Sequence, residues 1–247
     1  MAYRKDSDLD FLGKVKSSDL NDLVNCLIND KDGDSRWTEE LTSKKVYKEN
    51  KPNHHAYWEE IAAEIQLFGS NSLISPFRGG KGVLYREVLT DVCDKMKVNY
   101  NSKSTTEVIE RNFLQKIIET TLEQMSDDEK LKIAKEIGLS NIDRLNSLSG
   151  QALTSAFISV FNSGGFKSYQ LTLQLANIIW KFLFGKGLSF VANATLAKVM
   201  SILTGPVGWT ATALWTLSDI AGPAFRVTVP AVMQVALLRA KYSESSS

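Results

Sequence analysis

Apolar residues recur at helical spacing through residues 1–147. Leu20, Leu23, Val24 and Leu27 follow one another at intervals of three or four, which places them on one face of a helix. Repeats of the same kind predict further helices over residues 9–15, 52–69, 84–96, 104–125 and 126–138. This half of the chain is therefore expected to be mostly helical.

Local sequence also predicts where some of these helices begin and end. Ser126 and Glu129 match the capping box, in which the serine oxygen accepts a first-turn N–H and the glutamate accepts the N–H of the serine. Ser104 and Glu107 form a second such pair. Gly69 is expected to end the helix that precedes it, because glycine is common just beyond a helix C-terminus.

The pattern changes after residue 147. From Leu148 onward only nine residues are charged, seven basic and two acidic, so this part carries a formal charge of +5 and residues 1–147 carry −4. Val199–Ser218 has no charge over twenty residues, the length that crosses a hydrocarbon core as a helix. Gly205 and Pro206 in its middle weaken a single helix, so a re-entrant hairpin or two short helices are predicted.

These patterns predict an all-α fold, a multi-helix bundle with an apolar C-terminal helical hairpin region. The change in charge divides the chain into a charged amphipathic helical region, 1–147, and an apolar, glycine-rich helical region, 148–247. Only two cysteines, and an N-terminus without an apolar stretch, favour a cytoplasmic location with no signal peptide. The formal net charge of +1 leads us to expect no nucleic acid partner.

A glycine-rich loop is the candidate anion-binding site of the first half. Glycines let backbone N–H groups converge on an anion, and a following helix N-terminus favours negative charge. The spacing is not that of a P-loop, and a tight turn between two helices is the alternative. The candidate residues are Arg78, Gly79, Gly80, Lys81, Gly82 and Arg86.

His54 and His55 are the only histidines, so any histidine-based chemistry must use them. His55 and Glu59 would share a helix face, but they supply only half of a zinc ligand set. We therefore expect structural or surface histidines, no catalytic residues, no metal and no cofactor. An enzyme that uses the histidines and the glycine-rich loop is kept as a further hypothesis, beside the two non-enzymatic functions given below.

Four residues of the apolar half form the candidate membrane or partner segment: Trp209, Trp215, Asp219 and Arg226. Tryptophan suits either a membrane interface or a protein core. A lone charge in apolar surroundings is costly, so Asp219 and Arg226 are expected to form a pair, or Asp219 to lie at an interface or a helix start.

Several stretches resemble the YaaW-like family of uncharacterised bacterial proteins. They are the opening Tyr-Arg-Lys-Asp-Ser-Asp-Leu-Asp-Phe-Leu at 3–12, Tyr-Arg-Glu-Val-Leu-Thr-Asp-Val-Cys-Asp-Lys at 85–95, Leu-Thr-Gly-Pro-Val-Gly-Trp at 203–209 and the run at 219–232. The resemblance spans nearly the whole chain, but no catalytic residues can be carried over from it, because the family has no agreed activity. The N-terminal module of this family is also found ahead of ubiquinol–cytochrome c chaperone-type domains, which implies an analogy to an assembly factor.

Two functions follow from the apolar half. The first is a non-enzymatic protein that associates with the inner face of the cytoplasmic membrane through this half, where the basic excess favours anionic lipids. The alternative is a chaperone-like or assembly-factor protein whose apolar half is a buried core or a client surface. The expected partner is accordingly a membrane surface or a protein, and the oligomeric state stays open.

Overall fold

The computed structural model describes residues 2–30, 33–36, 39–72, 82–136, 148, 150–184, 186–189 and 225–244. Within these ranges the chain forms α-helices and short 3₁₀ segments, with one isolated bridge between Asn29 and Ser35 and no strand. The predicted all-α, multi-helix fold is therefore confirmed.

Each helix predicted in residues 1–147 matches a described helical segment, but the one at 9–15 is a 3₁₀ helix, and the helix at Lys45–Asn50 was not predicted. The 3₁₀ segments are Asp10–Lys14, Leu41–Ser43 and His54–Tyr57. The α-helices are α1 (Ser17–Ile28), α2 (Lys45–Asn50), α3 (Trp58–Ser72), α4 (Tyr85–Lys95), α5 (Thr106–Gln124), α6 (Asp127–Glu136), α7 (Gly150–Ser163), α8 (Gly165–Phe184) and α9 (Phe225–Glu244).

The chain divides into two compact units. Unit 1 comprises Met1–Phe113 and Thr216–Ser247, and unit 2 comprises Leu114–Trp215. The C-terminal segment of the chain thus belongs to the unit built by the N-terminal residues. The division into 1–147 and 148–247, which rests on composition, stays a prediction about charge and hydropathy.

Unit 1 is built around α9, which packs against α1, α3 and α4. Ala231–Leu238 forms eight consecutive buried residues, so this part of the helix is covered on every side rather than along one stripe. A helix that is apolar all round is a core helix or a membrane span. In unit 1, the surrounding protein buries α9.

Gly69 lies inside α3, which continues to Ser72, so the prediction that Gly69 ends the helix is wrong. A Cβ atom built at Gly69 would collide with Val88 of α4 and would lie 2.8 Å from Cγ2 of Val83. The glycine therefore allows α3 and the start of α4 to approach closely.

One of the two predicted capping boxes is confirmed. Ser126 donates its N–H to Oε2 of Glu129 at 2.9 Å, and the Glu129 N–H donates to Oγ of Ser126 at 3.3 Å. Helix α5 begins at Thr106 rather than after Ser104, so the N-cap position falls one residue later than predicted.

Unit 2 contains a hairpin of α7 and α8, and α6 packs against α7. The turn uses Gly164 and Gly165, whose φ angles of 70° and 71° lie where a side chain is disfavoured. In α8, Leu171–Trp180 is buried without interruption. The predicted hairpin over Val199–Ser218 lies outside the described residues.

The described helices also bear on the membrane hypothesis. None of them combines the length and the hydropathy that a bilayer span requires. Helices α8 and α9 come from the apolar half, and the middle of each is buried within the folded chain.

Candidate functional site

The N-terminal motif Tyr3–Asp8 of the family resemblance makes polar contacts to several helices of unit 1. Asp6 is buried, and its Oδ2 accepts the N–H of Tyr85, the first residue of α4, at 2.7 Å. A carboxylate at this point satisfies a first-turn donor and suits the positive end of the helix dipole. Asp6 therefore caps α4 from a distant part of the sequence.

A second contact joins the same motif to α3. The N–H of Arg4 donates to Oε1 of Gln66 at 3.0 Å, and Nε2 of Gln66 donates to the carbonyl of Arg4 at 2.8 Å. The guanidinium of Arg4 also donates to the Gly82 carbonyl at 3.3 Å. The motif is thus held by backbone and side-chain groups together.

The third contact is a buried ion pair between α9 and α5. Nε of Arg239 lies 2.7 Å from Oε2 of Glu110, and a second nitrogen lies 3.3 Å from Oε1. The same guanidinium donates to the Asp8 carbonyl at 2.5 Å and lies 4.3 Å from the centroid of the Phe11 ring. Arg239 therefore joins the N-terminal motif to the central helix.

Burial is the largest influence on the pKa values of Glu110, Arg239 and Tyr85. It raises the pKa of Glu110, and the charge of Arg239 opposes that rise without cancelling it. Burial alone would lower the pKa of Arg239, but Glu110 reverses the effect and the pKa is raised. The pKa of the Tyr85 phenol is also far above its usual value, through burial first and then the charge of Glu110.

The end of α9 is tied to the start of α1. Nζ of Lys241 lies 2.8 Å from Oδ2 of Asp19, and the hydroxyl of Tyr242 donates to the same oxygen at 2.8 Å. That hydroxyl also accepts the N–H of Lys16 at 2.7 Å. These polar groups of unit 1 contact one another, as groups that stabilise a fold do.

The candidate anion-binding loop is only partly described. Arg78, Gly79, Gly80 and Lys81 lie outside the described residues, and Gly82 accepts the bond from Arg4. The guanidinium of Arg86 donates to the carbonyls of Ser102 at 2.8 Å and Ser104 at 2.5 Å, and to Oγ1 of Thr106 at 3.2 Å. Within unit 1, Arg86 thus stabilises the turn that precedes α5.

Both histidines make structural contacts. His54 is buried, which lowers its pKa, and its Nδ1 forms a hydrogen bond with the Tyr57 hydroxyl. Nδ1 of His55 lies 3.1 Å from the Val15 carbonyl, and the backbone N–H of His55 donates to Oγ of Ser17 at 3.0 Å. Among the described residues, no three metal-binding side chains are placed to hold an ion.

The remaining predicted residues fall in two groups. Trp209, Trp215 and Asp219 lie outside the described residues, so their roles and the proposed pairing of Asp219 stay predictions. Arg226 is exposed in the first turn of α9. Apart from the predicted residues, the Cys93 thiol is buried, which raises its pKa to about 12 and disfavours the reactive thiolate.

Unit 2 contains an open cleft of about 350 Å³ between α5 and α7. Two carboxylates line one side, and the other side carries an amide, two hydroxyls and one branched apolar chain. The lining residues are Glu119, Glu123, Gln151, Thr154, Ser155 and Ile158. Nε2 of Gln115 donates to Oε1 of Glu119 at 2.7 Å and orients that carboxylate.

This cleft was not predicted from the sequence. Glu119 and Glu123 are four residues apart, and so are Gln151 and Ser155, which places each pair on one helix face. That spacing was a usable signal, but the approach of the two faces depends on tertiary packing. Asp127 contributes by accepting the N–H of Gly150 at 2.9 Å, which fixes the start of α7.

Known proteins resemble the chain along its full length. A "UPF0174 protein" of Helicobacter pylori is 50% identical over 246 residues, covering 100% of this chain and 96% of that protein. The chain belongs to the UPF0174 family. A second "UPF0174 protein" of Helicobacter pylori is 40% identical over 82% of this chain and 97% of its own length. The "UPF0174 protein YaaW" of Escherichia coli is 30% identical over 96% of this chain and 95% of its own length.

This UPF0174 chain also matches two family models. Residues 3–37 match a domain of unknown function, DUF3944, which includes the N-terminal motif. Residues 53–233 match the family described as ubiquinol-cytochrome C chaperone, so most of the chain belongs to that family as well. No solved structure matches the chain. The YaaW-like resemblance is thus confirmed.

Proposed function

We propose that the protein is a non-enzymatic, chaperone-like factor that binds a protein partner in the cytoplasm. The observation that carries the proposal is the match of residues 53–233 to the ubiquinol-cytochrome C chaperone family. The match includes all of the described residues of unit 2 and much of unit 1. Because fold alone does not determine function, the proposal also rests on the contacts of the described residues.

The buried polar groups of unit 1 contact the fold itself, which favours a non-enzymatic role. The buried acid Glu110 is held by Arg239, and Asp6 is held by the N–H of Tyr85. The histidines contact a backbone carbonyl and a tyrosine. A general base needs free reach to a substrate proton, and these groups are committed to the fold.

Membrane association is the second candidate, and it rests on the uncharged Val199–Ser218 stretch. The described parts of the apolar half favour the protein-binding function instead, because α8 and α9 are buried in protein. One experiment can separate the two candidates, since a polypeptide partner and a lipid give different cross-linked products.

The test uses the full-length protein in its native host, with a photo-cross-linking residue at one exposed position at a time. Suitable positions are Glu59 on α3, Ser159 on α7 and Lys181 on α8. Polypeptide adducts from at least one position are expected. Absence of polypeptide adducts at all three, together with flotation on anionic vesicles, would refute the proposal in favour of membrane binding.

A further inference from the structure

We propose that the cleft between α5 and α7 binds a cationic, amphipathic segment of a partner protein. This rests on the proposed function and names the surface and the chemistry of its partner. The cleft lies wholly within unit 2, and each of its lining side chains belongs to a described helix.

The exposed face of α7 is the first reason. This helix has no charged residue over Gly150–Ser163, although Gln151, Ser155 and Ser159 on one face are exposed. Exposed helix faces ordinarily carry charges, whereas the centres of protein interfaces are depleted of them. An uncharged exposed face beside a cleft is therefore suited to contact with a partner.

The charge of the cleft is the second reason. Both charged lining residues, Glu119 and Glu123, are acidic, and Lys116 one turn earlier does not line the cleft. Gln115 orients the Glu119 carboxylate toward a defined direction. Lysine or arginine side chains of a partner would complement these two carboxylates.

The shape of the cleft is the third reason. A volume of about 350 Å³ admits side chains rather than a whole helix. Ile158 offers an apolar contact next to the hydroxyls of Thr154 and Ser155. A segment that presents basic side chains beside apolar ones matches both features, and this is the pattern of an amphipathic helix.

The test measures binding of a fluorescent leucine–lysine amphipathic peptide to the full-length protein by anisotropy at low salt. The double variant E119Q/E123Q is expected to raise the Kd about tenfold, because two partly exposed ion pairs are lost. The control E49Q/E59Q removes the same two charges from exposed positions of unit 1 and is expected to change the Kd by less than about twofold. S155R, which places a cation in the cleft, should weaken binding as well.

Three results would overturn this surface: no binding of the peptide, an equal Kd for wild type and E119Q/E123Q, or equal binding of a leucine–glutamate peptide. Circular dichroism of each variant checks that the fold is intact. If cross-linking in cells yields polypeptide adducts while the peptide experiment fails, the partner binds elsewhere and only the cleft assignment is lost. If cross-linking yields no polypeptide adducts and the protein floats on anionic vesicles, the proposed function fails as well.

Discussion

Replacing the buried Arg239 with methionine is expected to destabilise unit 1 more than the removal of any single exposed charge. Arg239 and Glu110 are almost fully buried, with side-chain exposures of 11% and 4%. The methionine keeps much of the side-chain volume but leaves the Glu110 carboxylate without its counter-charge. The perturbation therefore tests the ion pair rather than packing.

The magnitude follows from the burial of both partners. Breaking a buried ion pair by removing one partner costs about 3–5 kcal/mol, because the remaining charge is uncompensated. The bond from Arg239 to the Asp8 carbonyl is lost as well. The double variant E110Q/R239M removes both charges and is expected to be more stable than R239M alone.

The assay is urea unfolding monitored by circular dichroism, combined with hydrogen exchange of amides in α9, which reports opening of this helix locally. The R239M penalty should shrink as the pH falls. The pKa of Glu110 is raised by burial, and loss of the Arg239 charge raises it further. The protonated acid is then favoured in the folded state, and stability is lost as the pH rises.

The matched control is K14M, which removes an exposed cation from unit 1 and should change stability by about 0.5 kcal/mol or less. A loss below about 1 kcal/mol for R239M, unchanged between acidic and alkaline buffer, would show that the pair is solvated in solution. That result would refute a destabilising, uncompensated Glu110 charge in R239M.

Three further predictions concern other parts of unit 1. Burial raises the pKa of Glu64 from its ordinary value of 4.5 to about 7, so stability should fall by about 2–3 kcal/mol as the pH rises through this window, and E64Q should remove that dependence in pH-resolved urea unfolding. G69A should destabilise by about 1–3 kcal/mol in thermal unfolding, because the added Cβ collides with Val88. Y242F should cost about 1–2 kcal/mol and speed hydrogen exchange at the end of α9, because its hydroxyl bonds Asp19 and a backbone N–H.

Each of these predictions has its own control. E59Q, at an exposed position of the same helix as Glu64, should leave the pH dependence unchanged, and a similar loss of slope there would contradict the assignment. V88A in the G69A background should recover part of the loss by making room for the Cβ; no recovery would locate the strain elsewhere. For Y242F, unaltered exchange at the C-terminal end of α9 would contradict a tether at this point.

The helical repeats of the sequence located the described elements well. Helix α1, predicted from the repeat between Leu20 and Leu27, begins at Ser17 and ends at Ile28. The capping box at Ser126 was readable because its two partners are three residues apart. Gly69 misled the prediction, because its role is contact with Val88 of another helix, and local sequence carries no signal for that.

The burial of three acidic residues could not be predicted from the sequence. Nothing in the sequence separates Asp6, Glu64 and Glu110 from the many exposed acids of the first half. Their burial depends on partners 24 to 129 positions away: the N–H groups of Tyr85 and Glu40, and the guanidinium of Arg239. A hydrogen-bond partner at that separation is decided by the packing of helices.

The sequence by itself determined that this protein is helical and that its last hundred residues are apolar and need cover, because periodicity and hydropathy are local properties. The sequence could not determine whether these residues are buried in protein or in lipid, since a core helix and a membrane span require the same residues. For α9 the tertiary structure decided the matter: α1, α3 and α4 surround it, and Arg239, Lys241 and Tyr242 bind acidic residues of unit 1. Both the cover and the cleft of unit 2 arise from segments distant in sequence, and only the folded chain brings them together.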